Sequence, residues 1–171
     1  PSGSQTEPAV AATADGGFVI SWTNQSGYSG YDVYAQRFDA SGVAQGGEFR
    51  VNDGTNGGQY QSDVIGLSDG RFVVAFYDDN YNLSPNYGDV GYQLYSATGA
   101  RIDGNVLVNA RTVNTQQMPA LAALPNGNFV ATWTSDNTSA SEDTSSGGVY
   151  QRIFGDPADF DLTGAPLLQG V

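Results

Sequence analysis

One eight-residue phrase occurs three times in this chain of 171 residues. It reads DGGFVISW at 15–22, DGRFVVAF at 69–76 and NGNFVATW at 126–133. Each copy opens on Asp-Gly or Asn-Gly, a pair that supplies the positive φ of a hairpin turn, and continues with the alternation of a strand. A phrase repeated along one short chain restricts the fold to an array of similar units.

Other segments recur in the same order and extend the phrase into three units. A Gln precedes each phrase (Gln5, Gln59 and Gln116), and three segments follow in turn: VYAQRF at 33–38, GYQLY at 91–95 and VYQRIF at 149–154. EFRVN at 48–52 and NVLVN at 105–109 also match; the third unit lacks this segment unless PADFDL at 157–162 replaces it. We therefore place one domain at 1–158, with units at about 5–56, 57–113 and 114–158, and a linker to a following module at 159–171.

Each unit reads as four short strands, and no segment has the period of a helix. Four-stranded units of about this length are typical of propeller blades. We predict an all-β fold of three four-stranded antiparallel repeats, propeller-like, either a small three-bladed ring or a partial propeller completed by self-association. A sandwich or β-prism with three-fold pseudosymmetry is the alternative.

Charge and composition exclude several function classes. The chain has 18 acidic and 6 basic residues, a net charge of -12, with no Cys and no His. Phosphate backbones repel such a chain, so we expect no nucleic-acid partner, while divalent cations would relieve its self-repulsion. The absence of Cys and His excludes thiolate zinc sites and Ser-His nucleophiles, and no apolar run approaches a membrane span, so no membrane insertion is expected.

Function is expected in the loops between the second and third strands, since packing occupies the strands. These loops are 23–32, 77–89 and 134–148; they contain no Lys or Arg, and the repeat geometry places them at one end of the units. Calcium binds six to eight oxygen ligands, and the loops supply carboxylates for it. The predicted metal ligands are Asp78, Asp79, Asp89, Asp136, Glu142 and Asp143. The alternative is a set of solvated acidic loops.

The same loops are rich in tyrosine. Aromatic faces and polar side chains together suit a sugar, whose C–H surface stacks on rings while its hydroxyls form hydrogen bonds. The predicted ligand-binding residues are Tyr28, Tyr31, Tyr77, Tyr81, Tyr87 and Asn82. In the alternative, the tyrosines only pack at the strand ends.

Other repeated residues are predicted to be structural. Trp22, Phe76 and Trp133 share one position and are expected in the core. The repeated glutamines, among them Gln36 and Gln93, are expected to satisfy backbone groups between units.

The segments EPAVAATADGGFVISW, DVYAQRFDASG and EFRVN resemble a tandem repeat of large secreted bacterial proteins, the RTX-type adhesins and related calcium-binding surface proteins. The resemblance covers about residues 5–160. It implies secretion, a place on the bacterial cell surface, calcium and a role in adhesion. The chain departs from that pattern in its longer loops in units two and three, and it lacks the glycine-rich nonapeptide of RTX proteins.

Three functions follow as hypotheses. The first is a non-catalytic extracellular binding module that contacts glycan or a surface protein through the loops, with calcium. The second is a spacer of an extracellular stalk without a ligand. The third is a fragment of a glycosidase propeller, in which two loop acids such as Asp79 and Asp143 would serve as acid and base.

Overall fold

A computed structural model describes residues 3–25, 30–54, 56–79, 88–110, 114–136 and 147–155. Within these ranges the chain forms eleven strands and one 3₁₀ turn at Pro125–Gly127, and no α-helix. The strands are β1 (Ser4–Ala12), β2 (Phe18–Gln25), β3 (Tyr31–Phe38), β4 (Ala44–Arg50), β5 (Gln59–Gly66), β6 (Phe72–Asp78), β7 (Asp89–Tyr95), β8 (Arg101–Leu107), β9 (Gln116–Ala123), β10 (Phe129–Ser135) and β11 (Gly148–Phe154).

The strands form three antiparallel sheets in chain order, β1-β2-β3-β4, β5-β6-β7-β8 and β9-β10-β11. Each sheet is one blade, so the prediction of an all-β, propeller-like fold of three repeats is confirmed. The first strand of each blade lies innermost, against that of the next blade. The third blade has three described strands, and the segment at 157–162 that could form a fourth lies outside the described residues.

The blades pack in chain order. One apolar cluster joins the first blade to the second through residues such as Val33 and Phe76, and two more join the second to the third through residues such as Val90 and Trp133. No packed interface joins the first blade to the third in the part of the chain that the structure describes. The described blades therefore form an arc of a propeller.

The hairpin turns that open the repeated phrase have the predicted conformation. Gly16, Gly70 and Gly127 have φ values of 84°, 91° and 75°, a region that glycine enters without steric cost. In the first turn, the Asp15 carboxylate accepts hydrogen bonds from the Thr13 hydroxyl (2.5 Å) and the Gly17 N–H (3.2 Å). The sequence pattern thus dictates these turns locally.

The innermost strands share a β-bulge. Glu7, Gln61 and Met118 occupy the same position in β1, β5 and β9, with φ of 52°, 54° and 55°. The Gln61 N–H donates to the Glu7 carboxylate (2.9 Å), and the Met118 N–H donates to the Gln61 side-chain oxygen (3.1 Å). The bulge therefore links each blade to the next, which explains why three non-glycine residues adopt a left-handed conformation.

The expectation that the repeated glutamines bridge units is wrong for Gln93. Its Nε2 donates to the carbonyls of Leu94 (2.9 Å), Ile102 (3.0 Å) and Asp103 (3.2 Å), all in its own blade. The pairing of β7 with β8 shifts register between Tyr92 and Leu94. The shift leaves carbonyls without a ladder partner, and the Gln93 amide satisfies them.

Candidate functional site

The structure describes part of the predicted site, at the ends of β2, β6 and β10 and the starts of β3, β7 and β11. Tyr31 and Tyr77 are described, as are four of the predicted metal ligands, Asp78, Asp79, Asp89 and Asp136. The remaining predicted residues, Tyr28, Tyr81, Asn82, Tyr87, Glu142 and Asp143, lie outside the described residues.

Tyr31 of the first blade and Tyr77 of the second both contact Tyr60, a residue that was not predicted from the sequence. The Tyr60 ring lies edge-on to Tyr31, with centroids 5.8 Å apart, and edge-on to Tyr77, with centroids 4.9 Å apart. We call Tyr31, Tyr60 and Tyr77 the tyrosine cluster. Tyr31 is the exposed end of the cluster, with 40% of its surface accessible, and Tyr77 is the buried end, with 7% accessible.

Burial makes ionisation of the inner hydroxyls of the cluster less favourable. Burial raises the pKa of the Tyr77 hydroxyl well above its ordinary value, and the neighbouring Tyr60 and Asp79 raise it further. Burial, then the Asp79 charge, raises the pKa of Tyr60. Gly88 leaves room for the Tyr77 ring, because a Cβ at this position would clash with the Tyr77 hydroxyl. Both hydroxyls, which any tyrosine keeps protonated at neutral pH, therefore also resist ionisation in alkali.

Asp79 lies beside the tyrosine cluster with an exposed side chain. The Gly58 N–H donates to its Oδ1 (2.5 Å), and the Asp79 N–H donates to the Gly58 carbonyl (2.9 Å). This pair of hydrogen bonds holds the carboxylate against the segment that connects the first blade to the second. The result is an aromatic patch next to a fixed negative charge.

Asp78 and Asp89 lie opposite each other on β6 and β7, and they are 3% and 1% exposed. The Asp78 carboxylate accepts a hydrogen bond from Gln59 Nε2 (3.1 Å), and the Asp89 carboxylate accepts one from Asn109 Nδ2 (2.6 Å). Each carboxylate thus has one oxygen engaged by a side-chain amide inside the protein.

Gln59 and Asn52 extend this hydrogen bonding from one blade to the next. Asn52 Nδ2 donates both to Gln59 Oε1 (2.9 Å) and to Asp32 Oδ1 (2.7 Å), and Asn52 Oδ1 accepts the Val33 N–H (2.9 Å). We call Asp32, Asn52, Gln59 and Asp78 the interblade chain. It joins the loop end of the first blade to that of the second.

The second blade repeats the arrangement with Asn109, whose Oδ1 accepts the Val90 N–H (2.9 Å). In the third blade, Gln116 lies at the position of Gln59 and accepts a hydrogen bond from Trp133 Nε1 (3.0 Å). Gly148 occupies the position of Asp32 and Asp89 there, so the third blade lacks that carboxylate. The sequence pattern had marked Asp78, Asp89, the repeated glutamines and Trp133, but not Asn52 or Asn109.

The predicted metal ligands do not converge on one point among the described residues. No group of three acidic side chains there could hold a metal ion. Asp136 is half-buried, and its N–H donates to the Thr115 carbonyl (2.9 Å). The metal site, which also includes the loop acids outside the described residues, stays a prediction.

Comparison with known proteins supports the fold. No family model matches the chain, and no curated protein matches its sequence. Among solved structures, an endo-arabinase from Bacteroides thetaiotaomicron VPI-5482 is similar, with a TM-score of 0.55 and 11% identity over 89% of this chain and 57% of that one. At this identity the likeness shows a propeller-like fold alone. The chain spans little more than half the length of the endo-arabinase. No helix among the described residues is long and apolar enough to cross a membrane.

Proposed function

We propose that the chain is a non-catalytic binding module of a large secreted bacterial adhesin of the RTX type. It would contact glycan or a surface protein through the loop end of its blades, with calcium. The resemblance of the repeated segments to adhesin repeats supports the setting. The tyrosine cluster beside Asp79 carries the assignment of the binding surface.

The shape and chemistry of the cluster favour a sugar. Tyr31 presents an exposed ring, and its neighbour Tyr60 presents a neutral hydroxyl that can donate a hydrogen bond. Asp79 supplies a fixed acceptor for a sugar hydroxyl. An apolar face with a few fixed polar groups is the usual composition of a small-ligand site.

Calcium fits the donor set of this end. Its oxygen ligands would come from the predicted acids of this end, among them the exposed Asp79 and the half-buried Asp136. The ion would offset part of the net charge of -12.

The experiment is a glycan-array screen of the whole chain in millimolar calcium and again with a chelator. We expect selective signals that disappear with the chelator and in Tyr31→Ala. Tyr31→Phe, which keeps the ring, and Val43→Ala, which alters an exposed residue of the β3–β4 turn, should keep the signal. Unchanged binding by Tyr31→Ala would contradict the cluster as the site. Silence of the native chain in both conditions would contradict glycan binding and favour a protein ligand or the spacer.

A test for hydrolysis distinguishes the module from a glycosidase fragment. The activity in the name of the endo-arabinase belongs to that protein, and the propeller-like fold alone does not bring it here. The buried Asp78 and Asp89 accept side-chain amides, an environment suited to structural carboxylates. We expect no turnover on a panel of arabinan and chromogenic glycosides. Turnover that Asp79→Asn abolishes would overturn the proposal.

A further inference from the structure

In the second and third blades, one face packs on the blade before it; we call this face, and the matching face of the first blade, the front face. On β6 of the second blade this face consists of Phe72, Val74 and Phe76, all fully buried; on β10 of the third blade it consists of Phe129, Ala131 and Trp133, which are at most 7% exposed. The first blade carries Phe18, Ile20 and Trp22 at the same positions of β2, and these are only half-buried.

The front face of the first blade is built like the covered ones. Phe18 stacks on Phe38 with centroids 4.9 Å apart, as Phe129 stacks on Phe154 at 5.1 Å. On the innermost strand, Val10 is 67% exposed, whereas Val64 at the same position of the second blade is 3% exposed. The first blade therefore has the same kind of front face as the later blades, but this face is partly exposed to solvent.

In the described part of the chain, Asn24 and Trp22 at the edge of this face also lack the hydrogen-bond partners that matching residues have in the later blades, Asp78 in the second and Trp133 in the third. Within the described ranges, both side-chain polar atoms of the buried Asn24, and Trp22 Nε1, have no hydrogen-bond partner. Asp78 holds the position of Asn24 in the second blade and bonds to Gln59, which is fully buried and bonds to Asn52 of the blade before it. The Gln of the first blade, Gln5, is exposed.

We propose that the front face of the first blade is a docking surface for a further blade of this same repeat. That blade would bring Val and Ala side chains, as Val19, Val33 and Ala35 do for the second blade, and an Asn at the position of Asn52. The Asn would reach Gln5 and continue the interblade chain toward Asn24. The contact is head-to-tail, a geometry that extends or closes a ring of blades.

The test adds such a blade to the full chain. A copy of residues 5–58 is inserted between Ser4 and Gln5, so that Gly58 of the copy precedes Gln5 just as Gly58 precedes Gln59 in the native chain. Phe18→Ala and Gln5→Ala are then made in the original first blade, with and without the insert. Urea unfolding gives the loss of stability for each substitution.

We expect the penalties of both substitutions to rise with the insert until they match those of Phe72→Ala and Gln59→Ala. An insert carrying Val33→Asp, which places a charge on the docking face of the copy, should leave the penalties at their original values. Penalties that the unmodified insert leaves unchanged would overturn the proposal. It would also fail if the native chain sediments as an oligomer in which Phe18→Ala already costs as much as Phe72→Ala, because a second copy of the chain would then cover the face.

Discussion

Phe72 and Phe18 have the same place in neighbouring blades and nearly the same local packing. Phe72 stacks on Tyr95 with centroids 4.8 Å apart, and Phe18 stacks on Phe38 at 4.9 Å. Phe72 is nevertheless fully buried, while Phe18 is half-buried. The repeat thus specifies the face of a blade, and the neighbouring blade decides how much stability that face contributes.

The largest effect that tests this comparison is the loss of the two rings. Phe72→Ala should lower the free energy of unfolding by about 3–5 kcal/mol, the range for a fully buried Phe, because it leaves a cavity between two blades. Phe18→Ala should cost less than half as much, since water already reaches that face. Urea unfolding measures both. Equal losses would show that the first blade is as well covered as the second.

The next effect concerns the repeated glutamines. Gln59→Ala removes the link between Asn52 and Asp78 and should cost about 1–3 kcal/mol, the usual penalty when buried polar groups lose a partner. Gln5→Ala changes an exposed residue at the same position and should stay within about 0.5 kcal/mol of the native chain. A similar loss for both variants, again from urea unfolding, would mean that Gln59 does not act through the interblade chain.

The turns, the second strands and the blade order could be predicted from the sequence because they depend on local signals. Asp-Gly or Asn-Gly fixes the turn, and the alternation in FVISW fixes which residues share a face. The prediction that Trp22, Phe76 and Trp133 lie in the core is correct for the last two. Trp22 is half-buried because no described blade packs on its face.

The tyrosine cluster could be predicted only in part. Tyr31 and Tyr77 lie in or beside tyrosine-rich loops, but Tyr60 lies at the start of an innermost strand, where the other blades have Thr6 and Gln117. Neither the loop composition nor the repeat pattern marks that position. Its role follows from the contact between two blades, which no single unit encodes.

Ionisation of Tyr95 in alkali tests whether the front face of the second blade is covered. The first blade has no such hydroxyl, because Phe38 lies at the same position. Tyr95 is fully buried, and burial raises the pKa of its hydroxyl above the ordinary value of 10.0. Because the pKa is raised in the folded state, the contribution of the neutral Tyr95 hydroxyl to stability is complete below pH 10.0. This contribution is lost as the pH rises from there through the folded-state pKa.

Tyr95→Phe, which introduces the residue found at Phe38 of the first blade, should therefore reduce the loss of stability in alkali. Near neutral pH it should change stability little, because the Tyr95 hydroxyl has no hydrogen-bond partner among the described residues. Thermal unfolding across a series of alkaline buffers measures the slope. An unchanged slope would contradict the burial of this hydroxyl, and Tyr34→Phe on the half-buried face serves as the matched control.

The smallest expected effect compares two turns of the repeat, which carry Asp15 in the first blade and Asn126 in the third. The hydrogen bond from Thr13, then that from the Gly17 N–H, lowers the pKa of Asp15 below its ordinary value of 3.8. A lowered pKa in the folded state stabilises the protein above pH 3.8, and this contribution disappears as the pH falls through the folded pKa. Asp15→Asn should make the melting temperature slightly less sensitive to acid, because a neutral amide has no charge to lose there. The effect is small since the carboxylate is exposed to solvent, and an acid profile identical to that of the native chain would mean that the turn does not depend on the charge of Asp15.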